Sequence, residues 1–207
     1  MSIKGADIRN IAVIGHSGEG KTSVCEAILF NGKATDRLGK VTEGTTVTDS
    51  DEQEIARKMS ISLGVAYAIW EGVKLNLLDV PGFYDFEGEE NEALRAAGGA
   101  LIVTGATGTL SVGAEKAIDK CLKNKIPMVV FINGVDKENA DYAGTVAALK
   151  QKYAGKIAPI QIPLMEGNKM VGYVNALKET CYHFAHEAKK QPVPTPAELR
   201  GTLAAMQ

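Results

Sequence analysis

IAVIGHSGEGKTSVCEAILFNG, residues 11–32, is the stretch on which the fold turns. It opens with four apolar residues, Ile11 to Ile14, and stops abruptly at Gly15. From residue 20 onward the apolar positions take a helical spacing that ends at Asn31-Gly32, a good helix stop. The order is strand, glycine loop, helix, and in that context the loop GHSGEGKT (15–22) satisfies the pattern GxxxxGK[ST]. Gly15 and Gly20 let the backbone curl until successive N–H groups face an anion at the helix N-terminus. The residues expected to line a phosphate site are Gly15, His16, Ser17, Gly18, Glu19, Gly20, Lys21, Thr22 and Ser23. Lys21 would reach the β- and γ-phosphates of a nucleoside triphosphate, and the Thr22 hydroxyl would ligate magnesium.

Further strands emerge from the same kind of reading. In ISLGVAYAIW (61–70), Ile61, Leu63, Val65, Tyr67 and Ile69 alternate with smaller residues, and VKLNLLD resumes after Glu71-Gly72. This predicts a β-hairpin whose second strand delivers Asp79 to its end. GALIVT (99–104) and IPMVVFIN (126–133) read as buried strands flanking a helix from Val112 to Lys123, with another helix over 139–151. IAPIQIPL (157–164) is expected to close the series. Strands alternating with helices predict one compact α/β unit with a mainly parallel sheet flanked by helices, and ligands at the carboxyl ends of its strands. By contrast, residues 36–51 are polar and rich in Gly and Thr, a composition for a mobile loop.

Composition narrows the function classes. A hydrophobic fraction of 45% and a charged fraction of 23% are those of a globular protein and exclude wholesale disorder. The net charge of −2, without a basic stripe interleaved with aromatics, gives no direct signal for nucleic acid. Neither an apolar signal core nor a run of the ~20 residues needed to span a bilayer is visible, so no membrane role is expected. Cys25, Cys121 and Cys181 are odd in number and widely spaced, which supports neither disulfides nor a zinc ribbon and points to the cytoplasm.

DVPGF (79–83) places an acidic residue and Pro-Gly just after an apolar strand. Asp79 is expected to hold magnesium, and Gly82, next to Pro81, to offer its N–H to a γ-phosphate. INGVD (132–136) ends the next strand but one. There Asn133 and Asp136 have the positions of a guanine-reading NKxD loop, with Asp136 accepting from the N1 and N2 donors that adenine lacks. An ATP-using P-loop enzyme, such as a small kinase or ATPase, leaves both residues unexplained.

In order and spacing, IRNIAVIGHSGEGKT, GTTVTD, RKMSI, LLDVPGFYDF and FINGVDKENAD resemble the GTP-binding domain of the elongation factor G family of translational GTPases, over roughly residues 8–185. The resemblance implies a P-loop NTPase fold of the Ras-like G-domain type, GTP or GDP with magnesium as ligands, and a ribosome engaged through domains absent from this chain. It implies that Ser60 occupies the place of the switch threonine that ligates magnesium, with Arg57 to Ser60 in switch I and Asp79 to Asp85 at the start of switch II. It also implies a GTP-binding domain over 1–190, with 191–207 a linker and the start of an inserted subdomain.

Three departures set this chain apart from the family pattern: Gly18 stands where an aspartate is usual, Gly134 replaces the lysine of NKxD, and Phe83 replaces the histidine that positions the hydrolytic water. Lys21, Gly82 and Phe83 are thus the positions on which catalysis depends. A benzyl ring cannot orient water, and losing such a group typically costs ~10² to 10⁴ in rate. The expectation is a GTPase of weak intrinsic activity or, alternatively, a GTP-binding switch with negligible hydrolysis.

In the tail, KKQPVPTP reads as linker, and Thr195 to Glu198 as a capping box opening a helix with Leu199, Leu203 and Met206 on one face. That unpartnered stripe reads as part of a longer protein. CYHFAHEA (181–188) is expected to be a partly buried amphipathic helix, its Cys181, His183 and His186 not sharing one face.

Overall fold

The computed structural model describes residues 3–167 and 169–184, together with the backbone of 192–194. The chain divides into two compact units, residues Met1–Gly105 with Ser111–Asn133, and Ala106–Leu110 with Gly134–Gln207.

The first unit carries β1 (Ile8–Ile14), α1 (Lys21–Asn31), a short α2 (Glu52–Arg57), β2 (Gly64–Trp70), β3 (Val73–Asp79), α3 (Glu87–Ala96), β4 (Gly99–Gly105), α4 (Val112–Asn124) and β5 (Met128–Asn133). The strands form one sheet in the order β2-β3-β1-β4-β5. β1 lies parallel to both β3 and β4, β4 is parallel to β5, and β2 alone is antiparallel, closing the expected hairpin with β3. Chain order reverses about β1, so the carboxyl ends of β1, β3 and β4 open on one crevice, the usual ligand position in such sheets.

The core is built from the apolar runs. Val13, Leu77 and Val103 on the central strands pack against Val24, Cys25 and Leu29 of α1 and against Ala66 and Ala68 of β2. Each large side chain buried this way is worth roughly 1.5–3 kcal/mol. α4 buries Ala114, Ala117, Ile118 and Cys121, the i, i+3, i+4, i+7 stripe of a helix packed on one face, and starts where the Ser111 side chain accepts the Ala114 N–H. α3 places Glu87, Glu89 and Glu90 in its first turn, where the helix dipole favours negative charge.

The second unit consists of α5 (Tyr142–Lys152) and a sheet of β6 (Gln161–Glu166), β7 (Lys169–Asn175), β8 (Thr180–His183) and β9 (Pro192–Pro194), antiparallel in that order. α5 is capped by Asp141, whose side chain accepts the Gly144 N–H at 2.8 Å. Ile162, Leu164, Val174, Ala176 and Cys181 form this unit's core, with Tyr142 and Val171 packed against it.

Here three sequence expectations are corrected. IAPIQIPL does not extend the parallel series: it supplies β6, which pairs antiparallel with β7 in a separate sheet. Residues 181–183 of CYHFAHEA are strand and not helix, with Cys181 buried and His183 exposed, whereas His186 lies outside the described residues. Within KKQPVPTP, residues 192–194 pair with β8 instead of running as free linker. The capping box at 195–198 and the stripe beyond it lie outside the described residues. Among the described residues no helix is long and apolar enough to cross a membrane.

Candidate nucleotide site

The loop between β1 and α1 is shaped by glycine. Gly18 and Gly20 have φ of 78° and 92°, in the left-handed region that favours glycine, and Gly20 caps α1 without any side-chain hydrogen bond to its first amides. Those amides have no side-chain cap. A Cβ on Gly15 would strike the Val103 carbonyl, so the loop lies against the end of β4.

Glu19 ties the loop down. Its carboxylate accepts the His16 N–H at 3.1 Å and the Gly105 N–H at 3.3 Å, while its carbonyl accepts from the Asn133 side-chain amide at 2.8 Å. Asn133, expected to help read a base, therefore also fixes the loop from the end of β5. Lys21 is buried and donates to the His16 carbonyl at 2.9 Å. Burial lowers its pKa, and the carboxylates of Asp79 and Glu19 act in the opposite direction.

Asp79 ends β3 and is 1% exposed. Burial pushes its pKa up to about 6; the hydroxyls of Thr48 and Thr22 and the Lys21 ammonium pull it down, and Asp49 pushes it further up. Its Oδ2 accepts from Thr48 Oγ1 at 2.7 Å, whereas its buried Oδ1 has no hydrogen-bond partner. The Ser60 hydroxyl donates to Asp49 Oδ1 at 2.7 Å and lies 3.3 Å from that of Thr22. Thr22, Ser60 and Asp79, which sequence reasoning grouped, are thus brought together. Thr48 and Asp49 join them from a stretch read as mobile loop, yet they are only 7% and 5% exposed.

Gly82 closes the crevice from the β3 side. A Cβ there would fall on Lys21 Nζ and the Ser17 backbone, so only glycine permits this approach. Pro81 is buried beside it, whereas the Phe83 ring is 42% exposed. His16 packs on Gly113 and stands 6.2 Å from the Tyr84 ring, its Nδ1 buried without a partner. Ser23 stands apart from the phosphate loop's interior: it is exposed and lines an apolar groove of about 500 Å³ with Ala27, Trp70 and Phe131. Asp136 is exposed and belongs to the second unit, where Gly134 has a φ of 70° and the Lys137 stem covers the place of its missing side chain. Cys25 is buried, and burial together with the Asp79 carboxylate pushes its thiol well up, which suits a core residue.

Residues 6–195 match the family model described as the elongation factor Tu GTP binding domain. The chain belongs to that family. It is 37% identical over 191 residues to an elongation factor G-like protein of Mycobacterium tuberculosis (strain CDC 1551 / Oshkosh), a match covering 92% of this chain and 26% of the relative. It is 33% identical to elongation factor G of Dehalococcoides mccartyi (strain CBDB1), covering 91% and 27%. A solved structure from Thermus thermophilus superposes with a TM-score of 0.88 at 34% identity, covering 98% of this chain and 30% of that one. The chain spans little more than a quarter of the curated relatives named here. As a member of this family it has the P-loop G-domain fold, a mainly parallel sheet flanked by helices.

The residues missed by sequence reasoning are Glu19 as a tether and Thr48 and Asp49 as partners of Ser60 and Asp79. GTTVTD was visible as a motif. Nothing local showed that its last two residues would be buried by bonding to groups 31 and 11 positions away.

Proposed function

We propose that the chain binds GTP and GDP with magnesium and hydrolyses GTP slowly, as the nucleotide-binding part, residues 1–190, of an elongation factor G-like protein that works with the ribosome in the cytoplasm. The observation that carries this reading is the convergence of Lys21, the Gly82 backbone and the Thr22-Ser60-Asp79 group on one loop-to-helix crevice. In it the amides of 18–22 hold the phosphates, Lys21 bridges the β- and γ-phosphates, and Gly82 donates its N–H to the γ-phosphate.

The donor set fits magnesium, a hard cation that takes oxygen ligands. Asp79 Oδ1 is buried without a hydrogen-bond partner, the Thr22 hydroxyl acts on the same carboxylate, and the Ser60 hydroxyl lies 3.3 Å from that of Thr22. Thr22, Ser60 and Asp79 would hold the ion. When bound, magnesium neutralises charge that develops on the phosphate oxygens during transfer. Asp136 selects guanine by accepting from its N1 and N2 donors, and Asn133 keeps the loop in register.

Phe83 limits the chemistry. A hydrocarbon ring neither accepts a proton nor aligns water, so turnover is set by positioning and electrostatics alone. Lys21→Ala is expected to weaken GTP binding at least ~100-fold, about 3 kcal/mol; tight binding by that variant would end the site assignment. Phe83→His is expected to raise turnover ~10-fold or more at unchanged GTP affinity. Unchanged turnover in that variant would show that hydrolysis is limited elsewhere than at residue 83.

A further inference from the structure

Glu26 is 1% exposed and takes no part in the phosphate chemistry of the crevice. It lies on α1 one turn beyond Thr22, and among the described residues no Lys or Arg forms an ion pair with it. A buried carboxylate without a cation is costly unless its oxygens are hydrogen-bonded. Both are. One accepts the Gly39 N–H at 3.0 Å and the other the Val47 N–H at 2.6 Å, 13 and 21 residues along the chain. Gly39 is suited to this contact, because a Cβ there would run into the Glu26 carboxylate and the Thr45 carbonyl.

The two residues just past Val47 give the arrangement its meaning. Thr48 donates to Asp79, and Asp49 accepts from Ser60, which touches Thr22. The chain from 39 to 49 is polar and carries one short 3-10 turn, Val41–Glu43, so side chains must hold it in place. We propose that Glu26 is a positioning residue for magnesium-linked nucleotide binding: its two oxygens fix the backbone at 39 and 47 and so deliver Thr48 and Asp49 to the Thr22-Ser60-Asp79 group. This rests on the nucleotide reading above and adds a residue, outside the phosphate loop and the metal-side group, on which its response to magnesium depends.

Glu26→Gln keeps the shape but turns an NH₂ toward an N–H donor, which it cannot accept. Glu26→Asp keeps both acceptors on a shorter arm. In the nucleotide-free chain, amide exchange over 39–49 should run roughly ten-fold faster in Glu26→Gln than in wild type, with β1 and the phosphate loop unchanged. Gly39→Ala, which presses a methyl group on the same carboxylate from the loop side, should give the same pattern should Glu26→Gln fold poorly. Slow exchange over 39–49 in both variants would overturn the proposal.

The second readout separates positioning from helix stability. The ratio of GTP affinity with magnesium to that in EDTA should fall roughly ten-fold in Glu26→Gln, be partly restored in Glu26→Asp, and leave the EDTA affinity unchanged. An equal loss with and without magnesium would assign Glu26 to the stability of α1 and overturn the proposal. Absence of GTP binding by wild type would overturn the nucleotide reading instead, and the exchange result alone would then decide whether Glu26 positions the segment.

Discussion

The phosphate loop with α1 and the segment from Gly39 to Ser60 face the same carboxylate, but they are held by different physics. The loop and helix are fixed from within: Gly18 and Gly20 supply the left-handed turns, and Val24, Cys25 and Leu29 sink into the sheet. The segment from 39 to 60 brings little apolar surface of its own. It is pinned from outside, at Glu26, Asp79 and Thr22, by hydrogen bonds across 13 to 38 residues. The first region is therefore a rigid cradle. The second is held by hydrogen bonds to groups of the proposed nucleotide site, so under the proposed function it is the region expected to respond to a ligand there.

Breaking the cradle should cost the most. Leu29→Ala empties a fully buried site and is expected to lower stability by about 2–5 kcal/mol, read from denaturant midpoints at constant slope. A loss below ~1 kcal/mol would show that α1 is not anchored as described.

Asp79 joins the two regions, and its titration sharpens the contrast. Its folded pKa is raised to about 6 from an ordinary 3.8, so the nucleotide-free fold binds the proton more tightly than the unfolded chain does. For a carboxylate shifted upward, this contribution is present below pH 4 and is lost as pH rises through about 6. Asp79→Asn should therefore be more stable than wild type by about 1–3 kcal/mol at pH 8, with the difference closing between pH 6 and pH 4. A difference that does not change with pH would contradict the burial described here. Smallest of all, Thr48→Val removes one hydroxyl donor from the switch side and should shift stability by only ~1 kcal/mol while leaving α1 exchange untouched.

The same contrast explains how far the sequence could be read. Strand, loop and helix over 11–31, the hairpin delivering Asp79 and the helix from 112 to 123 were all visible because local periodicity and glycine placement specify them. Thr48, Asp49 and Glu26 carry no local signature, since their burial depends on partners elsewhere in the chain, and the loop motif that contains Glu19 did not reveal its bond to Gly105. The second unit misled for another reason. An eight-residue apolar run such as IAPIQIPL fits a buried parallel strand and a half-exposed antiparallel one equally well, and TCYH is too short to separate a period of 2 from 3.6. α3, with only Ala93 and Leu94 buried, offered too thin an apolar stripe to be read at all.

The most direct test of the central claim is a calorimetric titration of the chain, in magnesium, with GTP, GDP and ATP in turn. Saturable binding of GTP and GDP, at least ~10-fold tighter than ATP, is the result predicted by the proposed reading, in which Asp136 accepts from the guanine N1 and N2 donors that adenine lacks. Equal or tighter binding of ATP, or no binding of any of the three, would contradict the account.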